Sequence, residues 1–576
     1  MAASQATGIV VLTEAEAAAM TVRGFPARSA ASFLDAAALA RLEQEAARLF
    51  DRWAALPAVR ELLDYDGVSL WVAAESSFQR RRGLFDALVA RAAAPRIAAE
   101  GTLLLWGARD DPFLAALRAS VEGAVREWVV PARGESLWRR RARAFVREYR
   151  RAHQAPLILP QKEGRGVLFF LYTSRHVALL RALWPQVEGW SPFVVAFGPD
   201  TEAALDKAGV PYTRLWGYFP PEAAVRRRLR ERWSAEAVVR LGAALRDEAG
   251  RPLWPLLEAK LRRLFSLRPG EGRRFDETFL DAAGYVEAVR ALLLALRPSL
   301  LVVMNDLRVL GRAAVLTARG QGVPTLHLQH GIMADWLLWQ KVHSDRIAVW
   351  GEENRRALVE AGVSPGRIAV TGNPAFDRLA QGVEPERMER VRRSLRLEAG
   401  RPLLLVTTQN DSFAASRRQI EAVVAAAREF PALQIVVKLH PADAFAPYQR
   451  LQRELAGVDL HLTQHSDLAA LLALSDLLVT RFSTTALEAM LQGKPVIVLN
   501  FSGQPDPLPY VERGAALGVR DPSALPGAIR AVLEDEPTRR RLREGMARFV
   551  RDYAYRLDGR AGERVLALME EMMEAR

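Results

Sequence analysis

The residues best suited to chemistry gather late in the chain. Ser483, Thr484 and Thr485 follow the apolar run Asp476 to Thr480 and precede a helical pattern, Ala486 to Gln492. Where a strand turns into a helix, backbone N–H groups are left unpaired at the positive end of the helix dipole. The turn is therefore predicted to bind an anion, with the hydroxyls as further donors. Arg481 lies beside it. Glu488 sits one turn into the helix, where a carboxylate would accept hydrogen bonds from ribose hydroxyls. Lys438, His440 and Pro441 close another apolar run, Gln434 to Leu439. An ammonium and an imidazole there supply charge and a proton to a departing phosphate. Each motif is common by itself, but their order and strand-end positions together point to a phosphate site.

A second set lies upstream. Gln329-His330-Gly331 follows the run Pro324 to Leu328, and a glycine after a histidine lets backbone approach a ligand while the imidazole is presented. The same pair also reads as a plain structural turn. Ser174, Arg175 and His176 open a helix after Val167 to Leu171, and Asn305-Asp306 follows Leu300 to Met304. Gly372-Asn373-Pro374 ends the strand expected over Arg367 to Thr371, and Gln409 to Ser412 is a polar loop after Pro402 to Thr408.

These loops need strands to hold them. The apolar runs are continuous rather than alternating, as in parallel strands buried on both faces, and helical patterns separate them. The fold class predicted is α/β, with two doubly wound Rossmann-like sheets whose ligands bind beyond the carboxyl ends of the strands. The expected organisation is an α/β module over 1–135, a linker helix over 136–160, a first Rossmann-like domain over 161–350 with a helical insert at 221–267, and a second over 351–576. In the module, Ala30 to Arg60 reads as helix, and Tyr65 to Val72 as a turn feeding a strand. Phe85 to Ala94 reads as a helix ending before Pro95, Gly101 to Gly107 as a strand, and Pro112 to Trp128 as helix. Asp64-Tyr65-Asp66 has the spacing of a metal–nucleotide carboxylate pair, or is an ordinary turn.

Composition narrows the class. The 576 residues are 50% hydrophobic and 26% charged, enough to build cores. There is no cysteine, which excludes disulfides, thiolate metal sites and cysteine nucleophiles. Lys plus Arg is 80 against 67 for Asp plus Glu, a net +13 that favours anionic partners. The linker helix places Trp138, Phe145 and Tyr149 on one face with arginines around them. Such a helix lies on an anionic membrane surface or packs its aromatic stripe on a neighbouring domain. Arginines elsewhere are scattered over helix faces, so nucleic acid is not an expected partner. No apolar run spans a bilayer and no secretory signal is apparent. The expected location is the cytoplasm, with the linker helix offering contact with the inner face of the membrane.

Gln329-His330-Gly331, Gly372-Asn373-Pro374, Lys438-Leu439-His440-Pro441 and the segment from Ser475-Asp476 through Ser483-Thr484-Thr485 to Gly493-Lys494-Pro495 together resemble GT-B fold glycosyltransferases. The His-Pro pair and the Ser/Thr cluster are similar to those of bacterial sialyltransferases, Kdo transferases of capsule synthesis and CDP-glycerol glycerophosphotransferases. The Gly-Asn-Pro and His-Gly elements are also similar to those of non-hydrolysing UDP-N-acetylglucosamine 2-epimerases. The resemblance implies two Rossmann-like domains facing across a cleft, with nucleotide bound mainly by the second.

It implies, further, that His440 contacts the donor phosphate and assists its departure, with Ser483, Thr484 and Thr485 binding the same phosphate. Gly331, Asn373, Lys438, Pro441, Arg481 and Glu488 complete the donor-side set, and Ser174, Arg175 and His176 are the acceptor-side candidates. The general base is open between Asp306, Asp335 and His330. The activity expected is metal-independent transfer of a sugar from a CMP- or UDP-linked donor to a surface glycan or lipid-linked glycan, with no cofactor. CDP-glycerol-type polyol-phosphate transfer and UDP-sugar 2-epimerisation are the alternatives.

Overall fold

The computed structural model describes residues 8–11, 27–73, 81–99, 103–108, 125–130, 166–187, 190–253, 265, 279–306, 308–332, 342–380, 382–409, 413–441, 443–455, 457–501, 506 and 508–575. The linker helix with Trp138, Phe145 and Tyr149 lies outside them, as does Asp335. Two compact units divide the chain. Residues 1–172, 193–202 and 210–325 make the first; residues 173–192, 203–209 and 326–576 make the second.

Strands β1 (Gly8–Val11), β2 (Ala27–Ser29), β3 (Asp64–Tyr65), β4 (Val68–Ser69), β5 (Leu103–Ala108) and β6 (Val125–Val130) come first. Four of them form a parallel sheet in the order β2-β1-β5-β6, and β3 and β4 pair as an antiparallel hairpin. Three expectations are corrected here. Val125–Val130 is a strand, not the end of a helix through Trp128, because in-register pairing with β5 satisfies its backbone, with Trp106 opposite Trp128. The helix Arg81–Ala99 runs on past Pro95, since Ala93, Ala94 and Ile97 bury themselves in the core and offset the lost hydrogen bond. Leu70–Ala73 is a helical turn rather than a strand.

Asp64-Tyr65-Asp66 is no carboxylate pair for metal. Asp64 accepts the Gly67 N–H, and Asp66 pairs with Arg228, Arg290 and Arg232. Among the described residues, no group of three or more His, Asp or Glu is placed to hold a metal ion.

Strands β7 (Val167–Leu171), β8 (Pro192–Ala196), β9 (Thr213–Arg214), β10 (Leu300–Val303), β11 (Thr325–Leu328), β12 (Arg346–Val349) and β13 (Ile368–Val370) form a seven-stranded sheet in the order β13-β12-β11-β10-β7-β8-β9. Strands β14 (Leu403–Thr407), β15 (Gln434–Lys438), β16 (Asp459–Thr463), β17 (Leu477–Thr480), β18 (Val496–Leu499) and β19 (Leu517–Val519) form a six-stranded parallel sheet, β16-β15-β14-β17-β18-β19. Both are Rossmann-like, the α/β architecture of the GT-B type. The central strands are buried along their whole length, β7 and β14 at every position, which is why their sequences are unbroken apolar runs. No helix among the described residues is long and apolar enough to cross a membrane.

In the second unit the last helix, Ala561–Glu574, returns to pack on the helix Ser174–Val187. Asp377 caps it, accepting the Ala561 and Gly562 N–H groups at 3.0 and 2.8 Å. The Ala561 side chain fits against Gly372 (φ +82°), where a Cβ would lie 3.1 Å from it.

Candidate functional site

Parallel pairing in the six-stranded sheet puts three loops side by side on one rim. Lys438 ends β15, Thr407 opposite it ends β14, and Thr480 ends β17 on the other side of β14. A buried hydroxyl contact, Thr407 Oγ1 to Thr480 Oγ1 at 2.9 Å, ties β14 to β17 at that edge. Lys438, His440, Pro441, Arg481, Ser483, Thr484 and Thr485 therefore share the carboxyl-end rim, as their strand-end positions imply.

The β17 turn leads straight into the helix Thr484–Leu491. Ser483 is extended (φ −120°, ψ 146°) and caps that helix: its Oγ accepts the Thr485 N–H at 3.2 Å and donates to Thr485 Oγ1 at 2.9 Å. The Ser483 carbonyl accepts from Tyr510 Oη at 2.9 Å, and Tyr510 is buried beneath the turn. Burial, reinforced by the Glu488 charge, pushes the Tyr510 hydroxyl well above its usual range, so it remains a donor. Because the Ser483 hydroxyl proton is engaged with Thr485, the Thr485 N–H with Ser483 Oγ and the Ala486 N–H with the Ser483 carbonyl at 3.1 Å, the donors this turn can offer an anion without breaking a bond are the Thr484 N–H and the hydroxyl protons of Thr484 and Thr485. Phe482 is exposed next to it, with the Arg481 guanidinium 5.1 Å from its ring centroid.

Across the rim, Lys438 Nζ donates to the Gln464 carbonyl at 2.6 Å. Burial holds its ammonium below the ordinary lysine value. His440 begins a tight loop: its N–H donates to Thr408 Oγ1 at 2.8 Å and to Asp443 Oδ2 at 3.2 Å, and Thr408 Oγ1 donates to the same carboxylate oxygen at 2.7 Å.

Another cluster of the second unit centres on Gln329, which is 1% exposed. Its Oε1 accepts from Trp350 N at 2.8 Å and Asn354 Nδ2 at 3.1 Å, while its Nε2 donates to Gly331 O at 2.9 Å. Trp350 Nε1 donates to the Gln329 carbonyl at 2.8 Å. This knot fixes the backbone on both sides of His330. The His330 ring stands edge-on to that of buried His176, 4.9 Å between centroids. Ser174 is exposed at the start of the same helix; Arg175's side chain is outside the described set.

Other predicted residues stand apart. Asn373 is buried, and its side-chain oxygen caps the turn Pro374–Phe376 by accepting the Ala375 N–H. Asp306 is fully buried but belongs to the first unit, and its carbonyl accepts from Arg312 Nε at 2.9 Å. Sequence reasoning missed Thr408, Asp443 and Gln464, which hold the His440 loop. It also missed the weight of Gln409: both polar atoms of its carboxamide are buried without a hydrogen-bond partner among the described residues, two positions past β14. A polar loop after a central strand was the available signal for Gln409; none marked Gln464.

Comparison with known proteins bears on the family and the fold. Residues 280–570, a little over half of the chain, match the family described as UDP-N-acetylglucosamine 2-epimerase. Among solved structures, a Listeria monocytogenes protein assigned as a UDP-N-acetylglucosamine 2-epimerase aligns with a TM-score of 0.50 at 16% identity, over 72% of this chain and 98% of its own. UDP-GlcNAc 2-epimerase from Neisseria meningitidis bound to UDP-GlcNAc gives 0.49 at 14% identity, over 70% and 100%. A glycosyltransferase from Rickettsia africae ESF-5 gives 0.45 at 11%, over 72% and 100%. At such identities the likeness bears on the fold alone, and the first of the three carries it. No curated protein matches the sequence.

Proposed function

The chain belongs to the UDP-N-acetylglucosamine 2-epimerase family, and from that premise we propose that it binds a UDP-linked sugar on the rim of the six-stranded sheet and labilises the bond between the anomeric carbon and the diphosphate. The observation that carries the reading is the turn from β17 into the helix Thr484–Leu491, with Lys438 and His440 on the same rim. The Thr484 N–H and the Thr484 and Thr485 hydroxyls receive the diphosphate, the Lys438 ammonium offsets its charge, and His440 meets the oxygen that leaves the sugar.

Family membership favours inversion at C2 of the sugar. That carbon has no carbonyl neighbour, so its proton leaves readily only as the diphosphate departs from C1. The resulting C1=C2 double bond takes back a proton on the other face as the diphosphate returns. A second reading is transfer of the sugar to a glycan or lipid-linked acceptor. The extra parallel sheet of β1, β2, β5 and β6, which precedes the matched residues, favours it.

One experiment separates them. The purified protein is incubated with UDP-N-acetylglucosamine alone and followed by proton NMR at the anomeric region. Appearance of the C2 epimer, still UDP-linked, supports epimerisation. An unchanged sugar that is lost only when glycan acceptors are added supports transfer. Absence of any UDP binding by calorimetry overturns both.

A further inference from the structure

Gln464 lies one residue beyond β16, at the edge of the sheet, in no recognisable motif. Its carboxamide nitrogen is 3.1 Å from the carbonyl of His440, 3.3 Å from that of Pro441 and 2.9 Å from that of Asp443. Two hydrogens serve three acceptors, so one carboxamide gathers three carbonyls of the loop. The His440 N–H is held by Thr408 and Asp443, and the Asp443 N–H closes the turn on the His440 carbonyl at 2.9 Å. Both backbone polar groups of His440 are thus fixed from the two neighbouring strands. The main-chain carbonyl of the same Gln464 accepts the Lys438 ammonium at 2.6 Å. One residue sets two groups: the loop by its side chain, the lysine by its main chain.

We propose that Gln464 is a positioning residue that fixes the His440 loop relative to the Lys438 ammonium, so that both meet one diphosphate leaving group. The proposal rests on the diphosphate-site reading above. Stabilisation of developing charge depends on donors held where the charge appears, and a misplacement on the order of 1 Å costs roughly 10²-fold in rate. A carboxamide that only tied down a surface loop would add stability and leave turnover alone.

The test is Gln464→Met, which keeps the side-chain length, removes both donors and leaves the main-chain acceptor of Lys438 in place. Two measurements are made. Hydrogen exchange of the His440 and Asp443 amides is read in the ligand-free protein, where no activity is needed; it is expected to quicken at least tenfold. Turnover of the UDP-sugar is then read in a cycle with His440→Ala. A drop in kcat/KM of about 10- to 100-fold is expected in the wild-type background, and less than threefold where His440 is already alanine. Unchanged exchange, or equal losses in the two backgrounds, overturns the proposal. Were the wild type inert toward UDP-sugars, the functional reading would fall, and quickened exchange would still establish the clamp.

Discussion

Replacing Lys438 by methionine separates binding from folding. In the ligand-free fold the ammonium donates to one carbonyl and has no carboxylate partner among the described residues. Burial lowers its pKa below 10.5, so the charge is a cost to the folded state at neutral pH. That cost is whole below the folded value and fades as pH rises through it toward 10.5, because the unfolded chain then holds more protons. Removing the charge relieves that cost but strands the Gln464 carbonyl, worth about 1 kcal/mol the other way, so stability is expected to change by no more than about 1 kcal/mol. Diphosphate binding is another matter. A hydrogen bond to a charged group contributes about 1.5–3 kcal/mol, which converts to roughly 10- to 150-fold in affinity. Calorimetric titration of wild type and Lys438→Met with UDP and with uridine is the assay. UDP is expected to weaken by that factor and uridine, which has no phosphate, to bind as before. Equal weakening of both ligands, or unchanged UDP affinity, refutes the argument.

Other expectations follow from local geometry. Gln409→Leu replaces a buried carboxamide that has no partner among the described residues, so the ligand-free protein should gain about 1 kcal/mol in urea unfolding, and a loss would contradict its isolation. Gly545→Ala would place a Cβ 1.9 Å from the Gly514 carbonyl; although alanine normally favours a helix interior by about 1 kcal/mol, the clash should turn this into a loss of about 1–3 kcal/mol, read as a lower denaturation midpoint. Burial opposes ionisation of Asp247, yet the Arg251 amide and guanidinium and the Arg91 guanidinium outweigh it and hold the carboxyl below 3.8. Its contribution is present above pH 3.8 and is lost as pH falls through the lower folded value, so Asp247→Asn should cost about 2 kcal/mol at pH 7 and flatten the acid limb of stability against pH. Ser483→Ala removes the helix cap, with an expected loss of about 1 kcal/mol in thermal unfolding, while Thr485→Val leaves stability nearly intact and weakens UDP.

The parts of the fold that were legible are those where burial dictates composition. A strand covered on both faces admits almost nothing but apolar side chains, so β7, β10, β14 and β17 stand out. The N-terminal strand β6 did not, because its sequence, Val-Arg-Glu-Trp-Val-Val, takes its conformation from a partner strand rather than from a local period. The helix through Pro95 was hidden for a related reason: proline ends helices by local rule, and burial of Ile97 overrides the rule. In the candidate site, the strand-end positions of Ser483 and His440 were readable because the buried strands before them are apolar runs. Gln464 was not, and Gln409 showed only as one residue of a polar loop, since their weight comes from hydrogen bonds made or left unmade across the sheet.

The cap that Asp377 places on the last helix bears on how the protein is made. The N–H groups it accepts belong to residues 184 and 185 positions later, and the helix they start packs on Ser174–Val187, far earlier still. During synthesis the early helix and the Gly-Asn-Pro turn must wait for the helix Ala561–Glu574 to leave the ribosome. The second unit therefore closes only once that helix has emerged, and a premature stop anywhere before Ala561 leaves its early helix unfinished as well.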